Sequence, residues 1–310
     1  EFTPITSELL KEICDSAFDE TEFATFLGGP EVGAAFTQLK FDHLLFTGSG
    51  NIGKHVMRAA SENLVPLTLE LGGKSPVIVS DSSNIDITAR RVMFNKTLNA
   101  GQICLAPDYV YVHETEKDNF VEACKTQVNE FYSDLKYNPD YTSVINQKHY
   151  DRLNGLLSDA KDHGAKLVEI NPANEDFSQQ ESHKIPPTLV LNPTDEMQIM
   201  KEEIFGPLLP IKTYKDINEP INYINKNEKP LGLYYFGNNK NEEEKVVNST
   251  TSGGVTVNDI MGHIQQNELG FGGVGPSGMG KYDGFDGFMN FSNNKPCLLY
   301  TSPSPRDSDQ

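Results

Sequence analysis

One cysteine stands in a sequence context that could support nucleophilic chemistry. Cys104 follows the run Asn-Ala-Gly-Gln-Ile at residues 99–103, whose small members allow close backbone packing and an N–H group aimed at the thiol. A thiolate is the nucleophilic form of cysteine, and backbone dipoles favour that form. The pattern predicts a reactive thiol with a low pKa, although an isolated cysteine is also a common small core residue. The cysteines at positions 14, 124 and 297 are interpreted as structural.

A glutamate within an apolar segment could supply a base. Glu70 lies in the run Leu-Thr-Leu-Glu-Leu-Gly-Gly at residues 67–73. Burial would raise the pKa of its carboxyl group and suit it to accept a proton near neutral pH. Two other interpretations stay open from this segment alone. One is a ribose ligand of a dinucleotide fold, where an acidic residue follows the glycine motif by about twenty positions. The other is a solvent-facing glutamate at a strand end.

A glycine-rich segment could bind a phosphate group. Gly48, Gly50 and Gly53 match a dinucleotide fingerprint that follows a strand and opens a helix, where backbone N–H groups can hold a pyrophosphate. The same segment with Lys54 nearly matches a P-loop, but His55 stands where that motif needs a magnesium-binding hydroxyl. An ordinary glycine turn between a strand and a helix also fits this segment alone.

Strand and helix signals alternate around these segments. We predict helices at residues 5–18, 31–39, 52–63, 86–98, 117–135 and 142–164, with Thr3 as the N-cap of the first. We predict strands at residues 22–27, 43–47, 76–79 and 109–112, and a polar surface loop at 172–183. Because single helices separate the strands, the predicted fold class is α/β with parallel strand pairing.

Composition and charge limit the class of protein. The 310 residues are 37% hydrophobic and 23% charged, as in a soluble globular protein, and carry a formal net charge of -18. That charge disfavours nucleic acid and anionic membrane surfaces as partners. No run approaches the roughly 20 apolar residues of a membrane span, no signal peptide opens the sequence, and the four cysteines form no Cys-x-x-Cys pair. We therefore expect a cytoplasmic protein without a metal site or disulfides.

In this order, the glycine-rich, glutamate and cysteine segments together resemble the aldehyde dehydrogenase superfamily. Three later segments are also similar to its motifs: Glu-Glu-Ile-Phe-Gly-Pro at residues 202–207, Gly-Gly-Val-Thr-Val-Asn at 253–258, and the glycine-rich run at 271–280. The resemblance extends from Glu1 to Pro296. The C-terminal pattern at residues 284–292 is most similar to the class 3 and coniferyl-type branch.

The resemblance implies oxidation of an aldehyde to a carboxylic acid with NAD or NADP as cofactor. It makes Cys104 the nucleophile that forms a thiohemiacetal and then a thioester, and Glu70 the base that deprotonates the hydrolytic water and could also deprotonate the thiol. Gly50 replaces a threonine common in the family, which predicts a looser glycine loop. The implied cofactor contacts are Gly48 and Ser49 at the pyrophosphate, Glu203 at the nicotinamide ribose, Phe205 beside the ring, and Ile52, Leu71 and Gly72.

The resemblance also implies a domain arrangement. Residues 1–73 would form part of a Rossmann-type cofactor domain, residues 74–275 an α/β catalytic domain, and residues 276–298 a segment that packs back on the cofactor domain. Residues 299–310 end in a polar run and are expected to be a disordered or non-native tail. Members of the superfamily carry a longer N-terminal portion. We therefore expect a fragment of a homo-oligomeric protein, poorly folded or inactive on its own.

Three alternatives stand beside this interpretation. A CoA-acylating semialdehyde dehydrogenase would resolve the thioester with CoA, although the presence of Glu70 favours water. A P-loop ATPase or GTPase would use residues 48–54 but leaves the Cys104 segment unexplained. A non-catalytic binding protein derived from an enzyme would keep the motifs without a reactive thiol. Within the favoured interpretation, the branch resemblance implies aromatic or medium-to-long aliphatic aldehydes as substrates.

Overall fold

The computed structural model describes residues 1–300, which form two β-sheets flanked by helices. The strands are β1 (Leu44–Thr47), β2 (Leu67–Glu70), β3 (Pro76–Val79), β4 (Tyr109–His113), β5 (Lys166–Glu169), β6 (Thr188–Leu191), β7 (Leu208–Tyr214), β8 (Gly232–Phe236), β9 (Gly254–Val257) and β10 (Gly278–Met279). The helices are α1 (Pro4–Ala17), α2 (Pro30–Phe36), α3 (Gly50–Ser61), α4 (Ile85–Thr97), α5 (Lys117–Phe131), α6 (Gln147–Asp162), α7 (Gln198–Lys201), α8 (Asn218–Lys226), α9 (Lys240–Ser249) and α10 (Gly284–Asn290).

The smaller sheet has the strand order β1-β2-β10. β1 and β2 run parallel, and β10 pairs antiparallel with β2 so that Gly278 lies opposite Glu70. Helix α3 packs on this sheet through Val56 and Ala60, which join Leu44 and Val65 in a small apolar core. The pairing of β10 with β2 brings a segment from the end of the chain to the strand that carries Glu70.

The larger sheet has seven strands in the order β5-β6-β7-β4-β3-β8-β9. Its strands pair in parallel except β5, which is antiparallel to β6. Alternate residues of β3 belong to different cores: Val77 and Val79 pack with α4 and α5, whereas Ile78 packs with α6 and α8. Because helices cover both faces, the central strands are apolar throughout, as expected for a parallel sheet. The predicted α/β fold class with parallel pairing is confirmed.

Several predicted elements differ from the structure. Residues 22–27 form no strand: the segment runs without regular structure from residue 23, and the side chain of Phe26 is 67% exposed. The predicted helix at 142–164 begins only at Gln147, because the side chain of Asn146 accepts a hydrogen bond from His149 N and caps it. Thr3 precedes Pro4 as predicted but makes no capping hydrogen bond. The predicted loop at 172–183 has no helix or strand.

The two ends of the described chain are exposed. Helix α1 has no buried residue, and its apolar side chains, including Ile5 and Leu9, are mostly in solvent. Leu299 and Tyr300 are exposed and lie outside helices and strands. The rest of the predicted tail, residues 301–310, lies outside the described residues. Within residues 1–300, no helix has the length and apolar character needed to cross a bilayer.

Candidate active site

Cys104 follows a turn whose backbone is strained. After α4, Asn99, Ala100 and Gly101 all adopt left-handed conformations, with φ values of 51°, 52° and 72°. The first two are costly for residues with a Cβ atom and persist only where neighbours hold them. Gln102 supplies such a restraint, because its side chain donates to the carbonyl oxygens of Asn99 and Ser143 at 3.0 Å each and accepts from Ile145 N at 2.9 Å.

The thiol of Cys104 lies in a partly buried and electronegative environment. Burial, followed by the charges of Glu203 and Glu70, raises the pKa of the Cys104 thiol to about 11. Hydrogen bonds from the backbone N–H groups of Cys104 and Leu105 oppose this shift without cancelling it. The expectation of a thiol with a low pKa is therefore wrong, because the sequence pattern indicated the backbone dipoles but not the burial of the thiol or the charges of Glu203 and Glu70.

Glu70 ends β2 and is buried, with 3% of its surface exposed. Its Oε1 atom has no hydrogen-bond partner among the described residues. Burial, and secondly the charge of Asp283, raise the pKa of Glu70 to about 8. The carboxyl group is thus not a solvent-facing charge at a strand end. A carboxyl group that ionises near neutral pH can accept a proton from water or from a thiol.

The glycine-rich turn lies between β1 and α3. The N–H group of Gly48 donates to Glu70 O at 3.0 Å, which fixes the turn against β2. Ser49 is the N-cap of α3, and its hydroxyl accepts a hydrogen bond from Ile52 N at 3.5 Å. The first turn of α3 holds no acidic residue. Its N-terminus therefore presents backbone N–H groups and the positive end of the helix dipole, as a pyrophosphate site requires.

A cleft of about 800 Å³ opens beside this helix N-terminus. Ser49, Gly53, Leu71 and Gly72 line it, and so does Glu203. This volume lies within the range of known ligand and cofactor pockets. Four of the seven predicted cofactor contacts thus line one cleft. The other three, Gly48, Ile52 and Phe205, do not line it, nor do Cys104 and Glu70.

The carboxylate of Glu203 lies close to Gly72. A Cβ atom on Gly72 would lie 2.4 Å from both carboxylate oxygens of Glu203, so only glycine leaves room for this approach. Burial, followed by the charge of Asp108, raises the pKa of Glu203 to about 7. A hydrogen bond from the backbone of Gly73 and the charges of Lys74 and Arg152 act in the opposite direction and lower it. Glu203 is therefore a partly buried carboxyl group rather than a solvated charge.

A polar network that the sequence did not predict holds the loop around Glu203. Lys74 Nζ donates to the Asp108 carboxylate, to Ile199 O at 2.8 Å and to Glu202 O at 2.9 Å. The second oxygen of Asp108 accepts from Ile204 N at 2.8 Å. Asp108 is buried, and each of its oxygens has a partner, so the pair ties the Glu70 segment, the Cys104 segment and the Glu203 loop together. The nearby motifs gave no signal for this pairing, which depends on tertiary contacts.

Two further residues near Glu70 were not predicted. Tyr282 and Asp283 directly precede α10, and burial together with the charges of Glu70, Asp283 and Cys104 raises the pKa of Tyr282 to about 12. Tyr282 also packs in the same apolar cluster as Cys104. No group of three or more His, Cys, Asp or Glu side chains within residues 1–300 is placed to hold a metal ion. The groups described for this site are a thiol, carboxyl groups and a cleft of about 800 Å³.

Fold and site together define a class: an α/β protein with a partly buried cysteine, a buried glutamate and a cleft lined in part by glycines. The sequence model of the aldehyde dehydrogenase family matches residues 1–296, and the chain belongs to this family. It is 57% identical, over 295 residues, to a probable coniferyl aldehyde dehydrogenase of Caulobacter vibrioides, covering 95% of this chain and 61% of that relative. The predicted resemblance to the coniferyl-type branch is confirmed. The chain thus spans about three fifths of the length of this curated relative.

Solved structures agree with the fold. The structure described as the substrate-bound state of Staphylococcus aureus AldH superimposes with a TM-score of 0.88 at 41% identity, covering 97% of this chain and 66% of that one. Betaine aldehyde dehydrogenase from Staphylococcus aureus, solved in complex with NAD+, superimposes with a TM-score of 0.77 at 26% identity, covering 88% of this chain and 56% of that one.

Proposed function

We propose that this protein oxidises an aldehyde to a carboxylic acid with NAD+ or NADP+, using Cys104 as nucleophile and Glu70 as general base. One observation carries the proposal: the chain belongs to the aldehyde dehydrogenase family, and Cys104 and Glu70 stand in the segments that resemble its motifs. The charge of Glu70 raises the pKa of the Cys104 thiol, which supports a base near the sulfur. A nucleophile and a base within mutual reach are the minimum machinery for acyl chemistry on sulfur.

The cofactor fits the cleft beside the glycine turn. Ser49 and the N–H groups at the start of α3 would hold the pyrophosphate, with Gly48 shaping the turn and Ile52 and Leu71 in apolar contact. Glu203, close to Gly72, would accept hydrogen bonds from a ribose, and Phe205 would lie beside the ring. When bound, an oxidised nicotinamide supplies the hydride acceptor and a positive charge that favours the thiolate of Cys104.

Covalent catalysis at Cys104 divides the oxidation into two steps. The sulfur adds to the carbonyl carbon of the aldehyde, and the carbonyl oxygen becomes the oxyanion of a thiohemiacetal. Departure of a hydride from that carbon restores the C=O bond and leaves a thioester. Because the thiol has a pKa of about 11, its proton must pass to a neighbouring base as the sulfur attacks. In this proposal Glu70 receives that proton.

Glu70 then serves the hydrolytic step. Once it has released the proton of Cys104 to solvent, it takes a proton from a water molecule as the oxygen of that water adds to the thioester carbonyl. The carbon–sulfur bond breaks, the acid leaves, and the thiolate of Cys104 is restored. The proton on Glu70 returns to solvent. A base at this position makes water the acceptor of the acyl group, which separates this proposal from a CoA-acylating reaction.

Aromatic or medium-to-long aliphatic aldehydes fit the surroundings of the nucleophile. Cys104 packs against an apolar cluster that includes Met261 and Phe271, and Ile264 and Tyr282 pack against the same cluster. Such side chains bind a hydrophobic group by burial and ring contacts. The similarity to a probable coniferyl aldehyde dehydrogenase supports the aromatic class.

The proposal includes the organisation of the protein. We assign residues 1–73 to the cofactor domain and 74–275 to the catalytic domain, with 276–298 returning to the cofactor domain. The pairing of β10 with β2 supports this return. We also propose a cytoplasmic homo-oligomer that binds no nucleic acid, in keeping with the net charge of -18.

Turnover assays test the proposal. The protein expressed from its complete reading frame, given an aromatic aldehyde and NAD+ or NADP+ without CoA, should produce reduced cofactor and free acid. Cys104→Ser should lower the rate by about 10³-fold or more, as for other catalytic nucleophiles. Cys297→Ser, which alters an exposed thiol, should leave it unchanged. Acid formation that requires CoA, or an active Cys104→Ser variant, would refute the assignment.

A further inference from the structure

We propose that Tyr234 is a positioning residue for Cys104: its buried hydroxyl group holds the carbonyl group of Leu105, the residue directly after the nucleophile, and thereby fixes the backbone that carries the sulfur. This inference rests on the proposed function of Cys104. Tyr234 belongs to β8, outside the segments that resemble motifs of the family, and it does not line the cofactor cleft.

A direct hydrogen bond joins Tyr234 to the Cys104 segment. The hydroxyl group of Tyr234 donates to Leu105 O at 2.7 Å, and both residues are buried, with at most 1% of their surfaces exposed. Within residues 1–300, Leu105 O accepts no other hydrogen bond. Because a buried carbonyl oxygen without a partner is unfavourable, the position of the Leu105 backbone depends on this hydroxyl group.

The carbonyl groups on either side of Leu105 have partners of their own. Ala106 N donates to Ile103 O at 2.9 Å. Nζ of Lys96, which is buried, donates to Pro107 O at 2.7 Å. These bonds fix the chain before and after Leu105. The tyrosine hydroxyl therefore completes the hydrogen bonding of the backbone that follows the nucleophile.

The strand β8 directs Tyr234 towards this segment. Tyr234 packs in the apolar core that contains Leu105 and against which Cys104 packs. Tyr235, the next residue of the strand, packs in the core on the other face of the sheet. A Cβ atom on Gly232 would lie 2.7 Å from the hydroxyl oxygen of Tyr234 and 2.8 Å from Leu105 Cδ2. Glycine at this position therefore leaves the room in which the hydroxyl group reaches Leu105.

The hydroxyl group of Tyr234 remains a donor at neutral pH. Burial, followed by the charge of Cys104, raises the pKa of Tyr234 above its ordinary value. Holding Leu105 by its carbonyl group also restrains the N–H group of Leu105, one of the two that oppose the rise in the pKa of the Cys104 thiol. Loss of the tyrosine hydroxyl should therefore loosen this N–H group, lower the thiolate fraction and slow the reactions of the sulfur.

Removal of single hydroxyl groups tests the proposal without relying on turnover. In the protein expressed from its complete reading frame, iodoacetamide alkylates Cys104 at a rate that peptide mass mapping separates from those of Cys14, Cys124 and Cys297. At a fixed pH, Tyr234→Phe should lower the rate at Cys104 by about tenfold, as expected for the loss of one hydrogen bond to a charged group. Its kcat should also fall, whereas KM for NAD+ or NADP+ should not change.

Tyr235→Phe is the matched control. Tyr235 is as buried as Tyr234, but its hydroxyl group donates to Glu242 Oε2 at 3.1 Å and makes no contact with the Cys104 segment. Tyr235→Phe should therefore leave both kcat and the alkylation of Cys104 unchanged. Thermal unfolding of the two phenylalanine variants shows whether folded proteins are compared.

Two glycine variants repeat the comparison with both hydroxyl groups in place. Gly232→Ala puts a methyl group against the hydroxyl of Tyr234, and Gly237→Ala puts one 2.5 Å from the hydroxyl of Tyr235. Gly232→Ala should slow the alkylation of Cys104 as Tyr234→Phe does, and Gly237→Ala should not.

The alkylation rates and the turnover assays separate this inference from the proposed function. A rate in Tyr234→Phe equal to or above that in Tyr235→Phe would overturn the positioning role, even if turnover follows the proposed mechanism. A slower rate in Tyr234→Phe, together with full activity of Cys104→Ser, would retain the positioning of the sulfur but refute its proposed role as nucleophile.

Discussion

At the scale of single residues, the burial of Glu70 lowers the stability of the fold but favours proton transfer. The buried Oε1 atom of Glu70 has no hydrogen-bond partner among residues 1–300, which is unfavourable for folding because ionisation in such a place lacks solvation. The same burial raises the pKa of Glu70 to about 8 and thereby suits it to proton transfer. The sequence predicted this combination from one glutamate in an apolar run. It could not predict the contribution of Asp283, which lies more than two hundred positions later.

Replacing Glu70 by glutamine should stabilise the fold at high pH. The pKa of Glu70 rises from 4.5 to about 8 on folding, so the ionised carboxyl destabilises the native state increasingly from pH 4.5 to 8 and fully above pH 8. Glutamine stays neutral throughout. We therefore expect the free energy of unfolding of Glu70→Gln, relative to the unmodified protein, to increase between pH 5 and pH 9 in urea titrations.

The exposed residue Glu244 of α9 provides the control. Glu244→Gln changes the same functional group without removing a buried charge, so the pH dependence of the two variants should diverge. If Glu70→Gln loses stability relative to the unmodified protein as the pH rises, the burial and ionisation described for Glu70 are incorrect.

At the scale of elements, strands with an apolar pattern and flanking helices were predictable. β3 and β4 lie at or within one residue of their predicted positions, because runs such as Pro-Val-Ile-Val have few alternatives to a buried strand. The strand predicted at residues 22–27 is absent, because a strand also needs a neighbouring strand to pair with. No strand within the described residues pairs with this segment. None of the strands β5 to β10 was predicted, and the two-residue strand β10 is too short to show a pattern.

The contact between the Cys104 turn and the Glu203 loop is also a property of elements. Gly101 has φ +72°, and a Cβ atom there would lie 2.4 Å from Gly206 O. Gly101→Ala should therefore strain the turn by about 1–3 kcal/mol and displace the thiol. A displacement of about 1 Å at a reacting atom can lower the rate about 10²-fold. Thermal unfolding and steady-state kinetics would measure both effects.

Gly155 of α6 is the matched control, since a Cβ atom there meets nothing within 4 Å. Gly155→Ala should leave the rate unchanged and stabilise the protein by up to about 1 kcal/mol, because alanine is the better helix former. Equal effects of the two substitutions would contradict the packing described for the Cys104 turn.

At the scale of the whole molecule, the candidate site lies where the two sheets meet. Glu70, Leu71 and Asp283 come from the smaller sheet and the segment that returns to it, whereas Cys104 and Glu203 come from loops of the larger sheet. Motif order predicted which residues belong together. It could not predict that Lys74 and Asp108 would join the two parts, because their pairing spans 34 positions and depends on the docking of both sheets.

The central claim is that Cys104 carries the acyl group and Glu70 releases it. The most direct test incubates Glu70→Gln with aldehyde and NAD+ or NADP+ and records the intact mass. We predict about one equivalent of reduced cofactor per chain, a mass increase equal to the acyl group, and assignment of that group to Cys104 by peptide mapping. No acylation, acylation of another cysteine, or turnover at the rate of the unmodified protein would contradict the account.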